Sequence, residues 1–192
     1  MLIYKLVSTL MHNEDAEWKK LTTDLVGANI HPDRARGFAL SRQALRECLE
    51  GYGLTLDIQD LILENYHQLK GHDSLTLSLS HTPFWGAAVI ADKKTHVSVG
   101  IDIEPIDRPV KKPILERISH PQDINLNGIE LWSLKEASFK ALMNTGKFDR
   151  PVEFSSLQIS QNTWTHSPTK IQGEWEKIQE NGVIVAKAWI KN

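Results

Sequence analysis

The fold is decided by one stretch of the chain, residues 96–104, which reads HVSVGIDIE. Its odd-numbered positions are Val or Ile, whereas its even-numbered positions hold His, Ser, Gly, Asp and Glu. Because successive side chains of a β-strand point to opposite faces, this alternation predicts a strand with one apolar face. Asp102 and Glu104 then project together from the other face, and Pro105 ends the strand.

Outward from this strand, the same period of two recurs in neighbouring segments. Residues 75–79 alternate Leu with Thr and Ser, which predicts a strand that delivers Ser80 and His81 at its end. A strand at residues 86–91 is joined to the stretch 96–104 by a turn. Further strands are predicted at residues 2–10, 154–160, near 164 and at 184–190.

Two segments have the apolar spacing of amphipathic helices, and the first follows His-Pro-Asp at residues 31–33. Its apolar face is formed by Ala35, Phe38, Leu45 and Leu49. Gly51 and Gly53 end this helix. Arg42 falls on the same face, so its guanidinium must meet an anion or lie at the edge of the apolar stripe.

The second helix is predicted over residues 128–143, with an end near residues 144–146. Helical spacing puts Trp132, Glu136 and Lys140 on one stripe. A carboxylate and an ammonium therefore project side by side from an otherwise apolar face.

Composition limits the classes of function. The 192-residue chain is 41% apolar and 24% charged, which suits a compact protein. Its 22 Lys and Arg residues nearly balance its 24 Asp and Glu residues, so no overall basic field exists to hold a nucleic acid or an anionic membrane. The single cysteine, Cys48, excludes an internal disulfide and a zinc site of several thiolates. With neither a signal-peptide pattern nor a spanning apolar segment, we expect a cytoplasmic protein.

The two halves of the chain resemble each other weakly. A His-Pro pair and an Arg-Gln-Ala triplet at residues 42–44 are matched by a second His-Pro pair and a Lys-Glu-Ala triplet at residues 135–137. Any two amphipathic helices share residues at this level, so a chance match stays an alternative. We predict one compact unit made of two halves, residues 1–98 and 99–192, each a helix packed on a sheet.

The clearest chemistry belongs to the acids. Asp102 and Glu104 make half of a site for a hard cation such as Mg²⁺, which prefers oxygen ligands. Glu136 would supply a third carboxylate and Lys140 a phosphate contact, which together describe a metal-assisted phosphoryl site. The alternatives are a solvated strand edge with two surface acids and a surface Glu-Lys pair.

The first half adds candidates for phosphate binding. His81, next to Ser80, would act as a phosphate donor, a base or a metal ligand, or only as a hydrogen-bonding residue at a strand end. Four guanidiniums on the first helix can bind phosphate, although most arginines on helices are solvated. They are Arg34, Arg36, Arg42 and Arg46.

In this order, three motifs resemble the signature of 4'-phosphopantetheinyl transferases of the monomeric type that activates surfactin and enterobactin synthetases. They are Ser80-His81, Gly100-Ile101-Asp102-Ile103-Glu104 and Trp132-Ser133-Leu134-Lys135-Glu136-(x)3-Lys140. Each motif is weak alone, but the last two are specific together. The resemblance implies an α+β fold of two similar helix-plus-antiparallel-sheet halves related by a pseudo-twofold axis, with coenzyme A and a metal in the cleft between them.

The resemblance also implies roles for individual residues. Asp102, Glu104 and Glu136 match the metal-binding acids of the family, with Mg²⁺ as the expected ion and Mn²⁺ as the alternative. The matches to coenzyme A contacts are Ser80, His81, Lys135, Lys140 and either Arg36 or Arg42. One departure is that a Gly-Lys-Pro segment usually precedes the Ser-His strand, whereas residues 65–70 read NYHQLK, so Lys70 is the candidate to replace its lysine.

In the implied reaction, the serine hydroxyl of an acyl or peptidyl carrier protein attacks the β-phosphate of coenzyme A. Phosphopantetheine is transferred, and adenosine 3',5'-bisphosphate leaves. Glu136 and Asp123 are the candidates for the base that takes the serine proton, and the family usually has glutamate at the position of Asp123. Basic residues in the segment 105–129 would meet an acidic carrier helix or are only solvated. They are Arg108, Lys111, Lys112 and Arg117.

The sequence therefore predicts a monomeric, Mg²⁺-dependent holo-[acyl-carrier-protein] synthase that serves fatty acid, polyketide or nonribosomal peptide biosynthesis. One alternative is a non-catalytic module of the same fold that binds coenzyme A or a carrier protein. Another is a metal-dependent phosphohydrolase that uses the three acids on a small nucleotide.

Overall fold

The computed structural model describes residues 1–8, 31–65 and 67–192. Its contacts divide the chain into two compact units, Met1–Asp92 and Lys93–Asn192. Each unit combines an α-helix with antiparallel strands, so the predicted α+β class is confirmed. The boundary that we predict after residue 98 falls inside a strand of the second unit. This strand begins at His96.

The regular elements of the described residues are three helices and ten strands. The helices are α1 (Pro32–Gly51), α2 (Lys112–Ile118) and α3 (Gly128–Met143). The strands are β1 (Leu2–Ser8), β2 (Leu63–Glu64), β3 (Gln68–Leu69), β4 (Leu75–His81), β5 (Trp85–Asp92), β6 (His96–Pro105), β7 (Leu157–Ser160), β8 (Thr163–His166), β9 (Gln172–Glu180) and β10 (Val183–Lys191). Every strand predicted from the alternating patterns has a counterpart, although residues 9 and 10 of the first prediction lie outside the described residues.

In the first unit, α1 covers an antiparallel sheet of order β1-β5-β4. The buried face of α1 is turned relative to our prediction, because Ala35 and Phe38 are only half-buried while Leu40 and Cys48 are fully buried. Gly86 of β5 explains this rotation of the buried face, since a Cβ there would overlap the backbone of Leu40. The helix thus approaches the strand where the strand has no side chain.

In the second unit, α3 packs on β6 and β10 of a sheet of order β6-β10-β9-β8-β7. The close approach depends on Gly100, because a Cβ there would overlap the Ala137 carbonyl oxygen. Ser98 Oγ donates a hydrogen bond to the Ala141 carbonyl at 2.6 Å. The even-numbered face of β6 therefore lies under α3, and Asp102 and Glu104 continue that face toward the N-terminal half of the helix.

The predicted bounds of α3 are confirmed, and its ends explain them. At the start, the Asn127 side chain accepts from the Glu130 N–H at 2.9 Å while the Glu130 carboxylate accepts from the Asn127 N–H, a capping box. At the end, the Asn144 side chain donates to the Val99 carbonyl at 2.9 Å, and Gly146 has a φ of 68°.

Two elements of the second unit lie outside our sequence predictions. The short helix α2 begins with Pro113 in its first turn, and β9 pairs with both β8 and β10. Among the helices of the described ranges, none is long and apolar enough to cross a membrane.

Candidate active site

Asp102 and Lys140 link β6 to α3. The Lys140 ammonium donates to Asp102 Oδ1 at 2.9 Å and to the Ile101 carbonyl at 2.9 Å. Asp102 is buried, whereas the Lys140 side chain is 26% exposed. The positive charge of this pair is therefore accessible from solvent while its negative charge is not.

Glu104, two residues further along β6, is held by an aromatic residue and a cation. Its Oε1 accepts a hydrogen bond from Trp132 Nε1 at 3.1 Å and forms an ion pair with Arg108. The Arg108 guanidinium also lies 5.6 Å from the centre of the Trp132 ring. The sequence left Arg108 as either a contact to a carrier helix or a solvated residue, and the structure places it on Glu104.

Glu136 of α3 joins these acids electrostatically. Burial raises the pKa of Glu136, the Asp102 carboxylate raises it further, and Lys140 partly opposes the shift. Burial is also the main cause of the raised pKa of Glu104, which Arg108 opposes and Asp102 increases. The Asp102 carboxylate therefore destabilises the charged forms of Glu104 and Glu136, and Lys140 and Arg108 compensate only in part.

The donor set fits a divalent cation by its chemistry. The carboxylates of Asp102, Glu104 and Glu136, on facing elements, provide the oxygen ligands and the negative charge that Mg²⁺ or Mn²⁺ prefers. Within the described residues, however, no group of three or more His, Cys, Asp or Glu side chains is already arranged around a common ion position. Asp102 and Glu104 face Lys140 and Arg108 instead, so a metal would have to displace or share these contacts.

Lys135 and Asp123, two further predicted site residues, form a separate ion pair. Lys135 Nζ lies 2.8 Å from Asp123 Oδ2, and the two side chains are 0% and 7% exposed. Burial lowers the pKa of Lys135, and Asp123 opposes that shift. The pair is sealed inside the second unit, and Lys135 has no exposed surface with which to meet a ligand.

In the first unit, Ser80 and His81 lie at the end of β4, the former buried and the latter exposed. Gly37 of α1 packs against this end, since a Cβ on Gly37 would lie 2.6 Å from His81 Nδ1. The neighbouring Arg36 forms an ion pair with Asp33 at 3.7 Å. Arg36 and His81 are thus both positioned near the N-terminal turns of α1, where a phosphate is favoured.

The other two candidates of the first unit are placed differently. Arg42 stacks on the Phe38 ring at 3.7 Å, at the edge of the apolar face, and burial lowers its pKa to about 10. Lys70 is exposed directly after β3.

Sequence reasoning did not assign Arg108 or Trp132 to Glu104. Arg108 follows Glu104 by four positions across the turn that Pro105 begins, a spacing that returns a long side chain to the strand end. Trp132 precedes Glu136 by one helical turn, so the stripe on α3 already indicated its side of the helix.

The acids of β6 and the glutamate and lysine of α3 are the kinds of group that proteins use to bind a divalent cation and a phosphate. Residues 98–188 match the model of the 4'-phosphopantetheinyl transferase superfamily, which supports placing the chain in this superfamily. The matched segment contains all four of these residues, and it supports phosphopantetheinyl transfer as the general activity. No curated protein matches the chain.

Proposed function

We propose that the protein transfers 4'-phosphopantetheine from coenzyme A to a serine of an acyl or peptidyl carrier protein, with Mg²⁺ as the activating ion. The observation that carries this proposal is the cluster of Asp102, Glu104, Glu136 and Lys140 within the segment that matches the superfamily. Holo-[acyl-carrier-protein] synthase chemistry needs positive charge at a pyrophosphate and a base for a serine hydroxyl, and this cluster contains both kinds of group.

Asp102, Glu104 and Glu136 are the residues that would hold the metal. When bound, Mg²⁺ supplies positive charge to the pyrophosphate oxygens of coenzyme A. Arg108 and Lys140 form ion pairs with Glu104 and Asp102, so a metal ion would replace or share these two cations.

Lys140 and Glu136 have separate tasks in the reaction. The exposed part of the Lys140 ammonium offers a charged donor to a phosphate oxygen, a contact that strengthens as negative charge develops. Glu136 takes the proton of the carrier serine. The serine oxygen bonds to the β-phosphorus of coenzyme A, and the bond from that phosphorus to the leaving adenosine 3',5'-bisphosphate breaks.

Five residues outside the matched segment are also assigned to coenzyme A in this proposal. Arg36, Ser80 and His81 bind the phosphates of its nucleotide, with Arg42 and Lys70 as further cations. We propose that the two units are similar halves of one duplicated fold, since in each an α-helix packs on an antiparallel sheet. The protein would act as a cytoplasmic monomer.

Mass spectrometry tests the proposal directly. Incubation with coenzyme A, Mg²⁺ and a panel of apo carrier proteins should add one phosphopantetheine to the carrier serine and release adenosine 3',5'-bisphosphate. Binding of coenzyme A without any product across the panel would identify a non-catalytic module instead. Release of phosphate or a nucleoside monophosphate without a carrier would identify a phosphohydrolase.

A further inference from the structure

The ion pair between Lys135 and Asp123 uses its hydrogen-bonding capacity inside the protein. An ammonium has three donors, and those of Lys135 are directed at Asp123, at the Leu157 carbonyl and, at 3.4 Å, at the Phe154 carbonyl. With these three acceptors in place, Lys135 has no donor left for a phosphate.

Asp123 also makes its contacts inside the protein. Its Oδ2 accepts from the backbone N–H of His120 at 2.7 Å and faces Lys135, while its Oδ1 accepts from the Ile159 N–H at 2.7 Å. Both carboxylate oxygens of Asp123 are thus engaged inside the second unit. The pair therefore ties four backbone groups to α3.

One of these backbone groups belongs to a residue that lines a cavity. The cavity has a volume of about 350 Å³. Its lining residues are Arg117, Ile118, Trp132, Glu153, Phe154 and Ser155. Lys135 donates to the carbonyl of Phe154 in this lining, and Asp123 accepts from the N–H of His120, two residues beyond Ile118.

The cavity wall is connected to the acid cluster through two aromatic rings. Phe154 packs edge-on against Trp132, with ring centres 5.9 Å apart. The indole of Trp132 in turn donates its hydrogen bond to Glu104. A shift of Phe154 would therefore reach Glu104 through a single intervening side chain.

We propose that Lys135 and Asp123 form a clamp that fixes Phe154 against Trp132 and so holds Glu104 in its working position. We define the clamp as this ion pair together with the backbone groups of His120, Phe154, Leu157 and Ile159. Lys135 is then a positioning residue and not a contact to coenzyme A. The kinetic part of its test rests on the proposed transfer reaction, whereas the spectroscopic part does not.

The kinetic test compares three lysine variants. Lys135→Met should lower the turnover number of transfer by about tenfold or more, because small misplacements at a reaction centre are costly, while the Kd for coenzyme A changes less than about twofold. Lys177→Met is the matched control, since it breaks an ion pair to Glu130 at the other end of α3 and should leave turnover unchanged. Lys140→Met should weaken coenzyme A binding about tenfold, as loss of a charged hydrogen bond does.

Two kinetic results would overturn the clamp. If Lys135→Met weakens coenzyme A binding as much as Lys140→Met does, Lys135 contacts the substrate. If Lys177→Met lowers turnover as much as Lys135→Met at a comparable loss of stability, the effect is general destabilisation.

The spectroscopic test follows the Trp132 indole N–H in a ¹⁵N-correlated NMR spectrum, assigned with Trp132→Phe. The resonance should move in Lys135→Met and in Asp123→Asn, and it should stay in place in Lys177→Met. An unmoved resonance in both clamp variants would overturn the proposal. If the unaltered protein modifies no carrier protein, the proposed function is wrong. The NMR spectrum alone then tests the clamp.

Either single variant leaves one buried charge without its partner, which is costly. Should both fail to fold, the double variant Lys135→Met/Asp123→Asn removes both charges and is expected to fold. It should keep the low turnover and the displaced indole resonance, because Lys135→Met still removes the hydrogen bonds to the carbonyls of Phe154 and Leu157. Recovery of full turnover and of the original resonance in the double variant would overturn the clamp.

Discussion

Lys140 and Lys135 lie five positions apart on α3, and each faces an aspartate, yet the two ion pairs have opposite characters. Five residues of an α-helix correspond to a rotation of about 140°, so the lysines occupy different sides of the helix. Glu136, four residues before Lys140, is rotated from it by only about 40° and shares its side. The motif spacing itself therefore puts the two lysines on different sides of α3, without showing which of them is buried.

The difference in exposure decides what each pair can do. The Lys140 side chain is 26% exposed and that of Lys135 is 0% exposed, while both aspartates are buried. A partly exposed ion pair can exchange partners with a ligand at little cost, whereas a sealed pair cannot lose one member without leaving a buried charge. We call the Lys140–Asp102 pair open and the Lys135–Asp123 pair sealed.

The largest expected effect comes from removing a carboxylate of the open pair. Asp102→Asn keeps the side-chain shape but removes a proposed metal ligand, so transfer should fall about a hundredfold or more, the scale of lost electrostatic stabilisation at a reaction centre. Thermal unfolding should change little. The measurement is the initial rate of carrier modification, with Asp107→Asn, an exposed acid just beyond β6, as the control.

Glu136→Gln extends this test to the proposed base. It should lose transfer to a similar extent at neutral pH. Full activity in both Asp102→Asn and Glu136→Gln would show that the acids of β6 and α3 are neither metal ligands nor bases.

The next effect concerns the distance between α3 and β6, because the two members of the open pair lie on these two elements. Gly100→Ala would place a methyl group on the Ala137 carbonyl oxygen, a backbone atom that cannot move aside alone. Overpacking of this kind lowers the free energy of unfolding by about 1–3 kcal/mol, measurable by urea denaturation. The control is Gly51→Ala in α1, where the nearest atoms to a Cβ are 3.7 Å away. Equal stability of the two variants would contradict the close approach.

The main strand and helix of the second unit could be predicted because their patterns are complete. β6 alternates over its full length and is ended by Pro105, and α3 has a capping residue, a continuous helical stretch and a glycine after its end. By contrast, α2 has seven residues, too few to show a helical period, and β9 carries charged residues on a partly exposed sheet. Local sequence patterns therefore failed to predict an element that was short, and one whose strand conformation depends on pairing with neighbouring strands.

The site divides in the same way. Spacing alone placed Asp102 and Glu104 on one face, and Glu136 and Lys140 on one stripe. The sealed position of Lys135 depends on Asp123, which is twelve residues away and reaches it only because its loop is bonded to the backbone of β7. No local pattern distinguishes these two lysines, whose surroundings come from tertiary packing.

A smaller effect is expected where Arg108 meets Glu104. Because the guanidinium competes with a metal for that carboxylate, Arg108→Gln should tighten Mn²⁺ binding severalfold in calorimetric titration. Arg150→Gln, at an exposed position after α3, should leave the affinity unchanged. Weaker binding in Arg108→Gln would show that Arg108 supports the metal site instead of occupying it.

The smallest effect is a pH dependence on the sealed side of the unit. His166 of β8 is paired in register with Leu157, whose carbonyl accepts from Lys135, and it is buried against Phe148 and hydrogen-bonded to Thr169. Burial lowers the pKa of His166 below its usual value of 6.5. The unfolded chain therefore binds this proton more tightly than the folded one, so the stability contributed by neutral His166 is present above that pH and is lost as the pH falls through the lowered pKa.

Urea denaturation across the range from about pH 7 to about pH 5 should accordingly show a fall in unfolding free energy that is smaller in His166→Asn, since asparagine does not titrate there. His96, whose pKa is also lowered by burial, accounts for a remaining fall. The control is Lys94→Gln, an exposed position on the turn before β6, which should retain the fall. Identical pH profiles for the unaltered protein and His166→Asn would show that His166 is not the group that titrates. Because His166 adjoins the clamp and not the open pair, the fall should be accompanied by a lower protection factor against amide exchange at Ile159, whose N–H is held by Asp123.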